Sequence, residues 1–216
     1  MRERDAGDAE GTPGPRRTRR PLAPRHYFAA AMTILGRDGA AGLKIGTLCR
    51  EMGVTSGSFY HHFEGWSGFV RELLGHWEAE QTERIVARTA GVPDPIQRID
   101  VLKRLTVDLP HGAESAIRTW SNSDPAVDAV LRRVDAQRST ALQRVVNGVV
   151  TDPRAAHRLT ALGMSILIGF QLSLAGTEPT LLADLLDEYE QLLLRHAGTP
   201  SPISARQPPA PGQPRP

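Results

Sequence analysis

Stretches of helical period, separated by short breaks that carry Gly or Pro, fill the middle of the chain, and no run of alternating β-branched residues interrupts them. Tyr27, Ala30, Ala31, Ile34 and Leu35 predict a first helix that starts near Pro24 and ends at Gly39-Ala40-Ala41-Gly42. A short helix follows from Lys44 to about Met52, where Gly53 stops it. Thr55 is a good N-cap for a third short helix running to His62, because its hydroxyl can accept a free first-turn N–H. Trp66, Phe69, Val70, Leu73, Leu74 and Trp77 form the core-facing stripe of a longer fourth helix.

Three further starts share one signal, an acid at the cap and proline at the first helical position: Asp94-Pro95, Asp124-Pro125 and Asp152-Pro153. A helix over Ala113 to Asn122 and a last one from Pro179 to His196 complete a set of about nine. The fold class is all-α: a small N-terminal three-helix unit and a larger C-terminal helical body. The expected divisions are a disordered basic arm over 1–20, the small unit over 21–65, the body over 66–197 and a disordered tail over 198–216, which holds seven prolines.

The eighth helix contains no charged residue from Leu159 to Thr177. That length could cross a bilayer, but Ser165, Gln171 and Ser173 dilute it, and small residues interleave with Leu, Ile and Phe. The better reading is a helix enclosed by its own subunit and a second copy. The expected homodimer interface comprises Leu159, Leu162, Ile166, Leu167, Phe170, Leu185, Tyr189 and Leu192, and charge at Leu167 or Phe170 is expected to disrupt it.

Charge sharpens this picture. The chain carries +2 overall, yet Arg16 to Arg50 holds eight basic residues against Asp38 alone, a net of +7, while residues 51–216 sum to −3. Positive potential gathered at one end suits a polyanion such as DNA, although a basic tail taken alone is as well read as merely solvated. Cys49 is the single cysteine, so no internal disulfide can form, and no charged segment joins an apolar run as in a signal peptide. A cytoplasmic protein is expected.

Residues 44–63, KIGTLCREMGVTSGSFYHHF, have the layout of a helix-turn-helix, with Ile45, Leu48, Cys49, Met52, Val54, Phe59 and Phe63 as its apolar side. The candidate DNA-binding residues are Lys44, Thr55, Ser56, Gly57, Ser58, Tyr60, His61 and His62. In this geometry the second helix enters the major groove N-terminus first, and its small residues leave the approach open. His61 and His62 are adjacent and cannot both reach one metal from the same helical face, so no metal site is expected.

Here the chain resembles the TetR family of transcriptional regulators, through Gly53-Val54-Thr55, Gly57, Phe59, Tyr60-His61-His62-Phe63 and the helix starting near Trp66. The resemblance covers roughly Arg25 to Trp77. It implies a homodimer on a palindromic operator of double-stranded DNA, usually a repressor released by a small-molecule effector bound among the middle helices, with no cofactor. Two places depart from the family pattern: Lys44 stands where Thr is common, and Trp66 where a phosphate-facing Lys is common. A helical ligand- or partner-binding protein that has lost DNA binding is therefore the alternative.

An enzyme is not expected, since the nucleophile-elbow, zinc-protease, phosphate-loop and dinucleotide motifs are all missing. Trp77, Arg104, His111, Trp120 and Gln171 are the candidates for an effector pocket, each equally readable as surface or core.

Overall fold

The computed structural model describes residues 23–175, 178 and 180–197; the expected arm over 1–20 and tail over 198–216 lie outside the described residues. The described residues form nine helices and no strand: α1 (Pro24–Gly42), α2 (Ile45–Met52), α3 (Ser56–His62), α4 (Gly65–Ala90), α5 (Pro95–Val107), α6 (His111–Ser121), α7 (Pro125–Asn147), α8 (Pro153–Ser173) and α9 (Leu181–Arg195). The starts of α5, α7 and α8 follow the acid-proline signal. Asp94, Asp124 and Asp152 each accept a first-turn N–H through Oδ1, from Ile96 at 2.9 Å, Ala126 at 2.9 Å and Arg154 at 3.1 Å. Thr55 Oγ1 accepts from Ser58 N at 3.4 Å and caps α3. Gly53, at φ 63°, closes α2 in the left-handed region that favours glycine.

The core does not divide at residue 65. One buried cluster joins Tyr27, Phe28 and Ile34 of α1, Leu48 of α2, Phe59 of α3 and Phe69 to Trp77 of α4 with Ile117 of α6 and Val134 of α7. A second cluster links α5, α7, α8 and α9 through Ile99, Val146, Leu159 and Leu193, and a smaller one holds Phe170, Leu182 and Leu186 together. Burying these stripes is what makes nine separate amphipathic helices one structure.

α1 and α6 cross backbone to backbone. A Cβ placed on Gly112 would stand 3.2 Å from the Gly36 carbonyl oxygen and 3.3 Å from its Cα, so only glycine fits this crossing without a shift. No helix among the described residues is long and apolar enough to cross a membrane.

Candidate functional site

The helix-turn-helix is held from behind by aromatic packing. Tyr27 is fully buried, its ring edge-on to Phe63 at 5.3 Å and tilted against His62 at 5.4 Å. Phe59 lies against Phe69 and Phe63 with centroids 5.4 and 5.1 Å away. The Tyr27 hydroxyl meets Ser58 Oγ at 2.8 Å, which pins α3 to α1. The Cys49 thiol donates to the Thr55 carbonyl at 3.7 Å across the turn.

This packing sorts the candidates on α3. Thr55, Ser56, Gly57, Tyr60 and His61 are exposed, Tyr60 to 60%. Ser58 is turned inward and its hydroxyl is engaged by Tyr27, while His62 is half-buried on the Tyr27 ring. A Cβ at Gly57 would meet only Thr55 Oγ1, at an ordinary 3.6 Å, so nothing within the subunit demands glycine there. The same holds for Gly46 in α2, where a Cβ would meet nothing within 4 Å.

The cations near this face differ in freedom. Lys44 occupies the N-cap of α2, exposed and making no side-chain cap bond. Arg37 is engaged by Asp38 at 2.9 Å and Glu51 at 3.1 Å, which ties α1 to α2; these hydrogen bonds raise its pKa and hold the Asp38 carboxyl below the ordinary range. Trp66 packs half-buried against Phe69 at 5.6 Å, so the start of α4 presents an indole where the family pattern has a cation.

The five pocket candidates are placed apart. Arg104 points to solvent and pairs with Asp100 at 2.7 Å. Trp120 packs half-buried on the first core cluster. His111 lies edge-on to Phe170 at 5.1 Å; its Nδ1 is buried without a partner, and burial pushes its pKa down. Trp77 is buried with Nε1 unpartnered, and the Arg138 guanidinium lies 6.0 Å from its ring.

Gln171 belongs to a buried polar chain spanning four helices. Asp135 of α7 takes both terminal nitrogens of Arg118 at 2.7 Å, and Arg118 Nε donates to Gln171 Oε1 at 2.7 Å. Gln171 Nε2 donates to Glu114 Oε2 at 2.6 Å, and Glu114 receives Arg138 Nη1 and Nη2 at 2.8 and 2.6 Å. Arg138 Nη2 also donates to Gln81 of α4 at 3.0 Å. Two guanidinium groups and two carboxylates balance, which is how charge survives in an apolar interior. Glu114, only 1% exposed, and Arg138 were missed from sequence, yet a signal exists: Arg138 interrupts the apolar stripe Val127, Leu131, Val134, Leu142, Val145.

A cavity of about 80 Å³ opens between α5, α7, α8 and α9 beside this chain, with Arg138 in its wall. None of Trp77, Arg104, His111, Trp120 or Gln171 lines it; Leu102, Leu105, Leu142, Met164 and Leu186 do, with Lys103, Thr106 and Tyr189. Burial pushes the Tyr189 phenol pKa up.

The expected interface residues also divide. Leu159, Leu167, Phe170 and Tyr189 are buried in the subunit's own core, where α8 packs on α7 and α9, so charge at Leu167 or Phe170 would strike the fold before any interface. Leu162 is exposed at 42%, with Ile166, Leu185 and Leu192 half-buried; Leu172, which the expected set did not include, is exposed at 57%.

No family model matches the chain, and no curated protein matches it. Solved structures do. A transcriptional regulator from Rhodococcus sp. Rha1 aligns over 83% of this chain and 100% of its own at 19% identity and a TM-score of 0.68. A regulator from Saccharomonospora viridis, solved in complex with choline, aligns over 80% of this chain and 95% of its own at 15% identity and TM-score 0.67. A TetR-family transcriptional regulator from Streptomyces coelicolor aligns over 82% and 96% at 16% identity and TM-score 0.66. The chain has the fold of TetR-family regulators.

Proposed function

We propose that this protein is a TetR-type transcriptional regulator: a cytoplasmic homodimer, not an enzyme, that reads an inverted-repeat operator with α3 and is released when a small molecule enters the cavity beside Arg138. The observation that carries this reading is the two-sided character of α3. Phe59 and the Ser58 hydroxyl hold it from within, while Ser56, Gly57, Tyr60 and His61 are left outward, exposed to solvent. Small residues at the helix start let backbone approach base edges, and Tyr60, His61, Lys44 and Thr55 supply phosphate contacts that set register. The half-buried His62 contributes mainly by positioning. Arg16, Arg17, Arg19 and Arg20 add further phosphate or minor-groove contacts.

The effector is not carried over from the choline-bound neighbour. No carboxylate and only one aromatic ring, Tyr189, line the cavity here, and a quaternary ammonium needs such partners.

Selection from a random duplex pool tests the reading. The wild type should enrich an inverted repeat with half-sites ~34–36 Å apart or a multiple of it. Gly57→Leu, which has room within the subunit, should alter the preferred sequence, whereas Tyr60→Phe should weaken binding to every sequence alike. A pool without an inverted repeat, or a Gly57→Leu protein that selects as the wild type does, would leave only a ligand- or partner-binding protein.

A further inference from the structure

From the cavity wall we infer the chemical class of the effector: a short aliphatic molecule whose single polar end is a hydrogen-bond acceptor, a ketone, ester or carboxylate oxygen, seated against Arg138 Nε. The inference rests on the reading of this cavity as the effector site. The wall is aliphatic over most of its extent, so the body of the ligand is apolar. Four polar side chains interrupt it: Thr106 and Tyr189 spend their single hydrogens within the protein, and two carboxylates already hold Lys103. Lys103 Nζ donates to Asp187 at 2.8 Å and Glu190 at 2.6 Å, Thr106 Oγ1 donates to the Leu102 carbonyl at 2.8 Å, and the Tyr189 hydroxyl donates to the Leu159 carbonyl at 2.8 Å.

Arg138 is the exception. Glu114 takes its guanidinium end-on through Nη1 and Nη2, and Gln81 shares Nη2, which leaves Nε buried with no hydrogen-bond partner. An unpaired buried donor strongly favours any acceptor that can reach it. A ligand cation finds no partner at the same place, because no carboxylate is among the lining residues and Arg138 offers only a donor. A volume of about 80 Å³ holds a short chain and not a large ring system.

Calorimetry on the DNA-free full chain with three probes of equal chain length, 2-hexanone, hexanoate and hexylammonium, tests the assignment. The ketone, the carboxylate or both should bind about tenfold or more tighter than the ammonium. A lead for hexanoate identifies an anionic effector, and parity with the ketone a neutral acceptor. Arg138→Lys keeps a cation beside Glu114 but has no donor at the Nε position, and it should lose most of that preference while melting cooperatively. Hexylammonium binding as well as the ketone, no binding by any probe, or an Arg138→Lys protein that folds and keeps the preference would overturn the assignment. Should that variant not fold, the wild-type series decides alone. Because the titration contains no DNA, selective ketone binding by a protein that selects no operator would sink the regulator reading and spare this one, and the reverse outcome would do the opposite.

Discussion

Glu114 shows how much one buried charge is asked to do. It accepts from Arg138 through both oxygens and from Gln171, on a helix that buries Ala113, Ala116 and Ile117 in the core. Replacing it with Gln leaves Arg138 buried beside a neutral amide, a loss of about 3–5 kcal/mol by analogy with other broken buried pairs. Since a domain of this kind has only about 5–15 kcal/mol in hand, Glu114→Gln should lower the urea midpoint severely. Changing both partners, Glu114→Gln with Arg138→Met, should cost less than the two single changes summed, because no unpaired charge is stranded. Additive losses in the urea titrations would show that the pair is not coupled. Little of this chain could be read in advance: a charged residue on an apolar stripe announces that a partner exists, but which residue 24 or 57 positions away supplies it is decided only by how helices pack.

Local chemistry, in contrast, governs the elements, and these were legible. Asp-Pro starts, the Thr55 cap and the Gly53 stop each act within one turn of chain, so α2 and α3 begin and end, and α5, α7 and α8 begin, within a residue of expectation. Two glycines of the helix-turn-helix separate local from functional reasons for the same residue type. Gly46 sits in helical backbone with open space around it, and Gly46→Ala should raise stability by up to about 1 kcal/mol. Gly53 sits at φ 63°, where Gly53→Ala should cost about 1–2 kcal/mol. Matched urea titrations should therefore move in opposite directions, and movement in the same direction would mean that the turn geometry is misjudged. Glycine at position 46, where alanine would be more stable, is compatible with the proposed close approach of the α2 start to phosphate.

At the scale of the whole molecule, the exposed apolar residues of α8 are the feature that a single subunit leaves unexplained. Leu162 and Leu172 stand in water on a helix with no charge beyond Arg158. Leu172→Glu should yield a folded monomer in sedimentation at micromolar concentration, whereas Leu167→Glu, which charges the interior, should give unfolded or aggregated protein. A dimeric Leu172→Glu protein would move the interface elsewhere. The division of the expected interface into core and surface was not legible because α8 has no charge after Arg158 to mark an outer face, and period alone cannot say which side faces home.

The glycine crossing of α1 and α6 bears on how such a chain can be recombined. Gly36 lies on α1 and Gly112 on the helix that carries Glu114 and Arg118; a Cβ on Gly112 would press on the Gly36 backbone at 3.2 Å, whereas one on Gly36 would find ordinary contact at 3.5 Å. The N-terminal unit and the body are therefore matched at this crossing. An N-terminal unit transplanted onto a body with alanine in place of Gly112 would sit displaced by a few tenths of an ångström, and in the proposed dimer the spacing between the two α3 helices would carry that displacement to the DNA. Exchange of this unit with that of another protein of the fold would therefore turn on the residue that stands where Gly112 does.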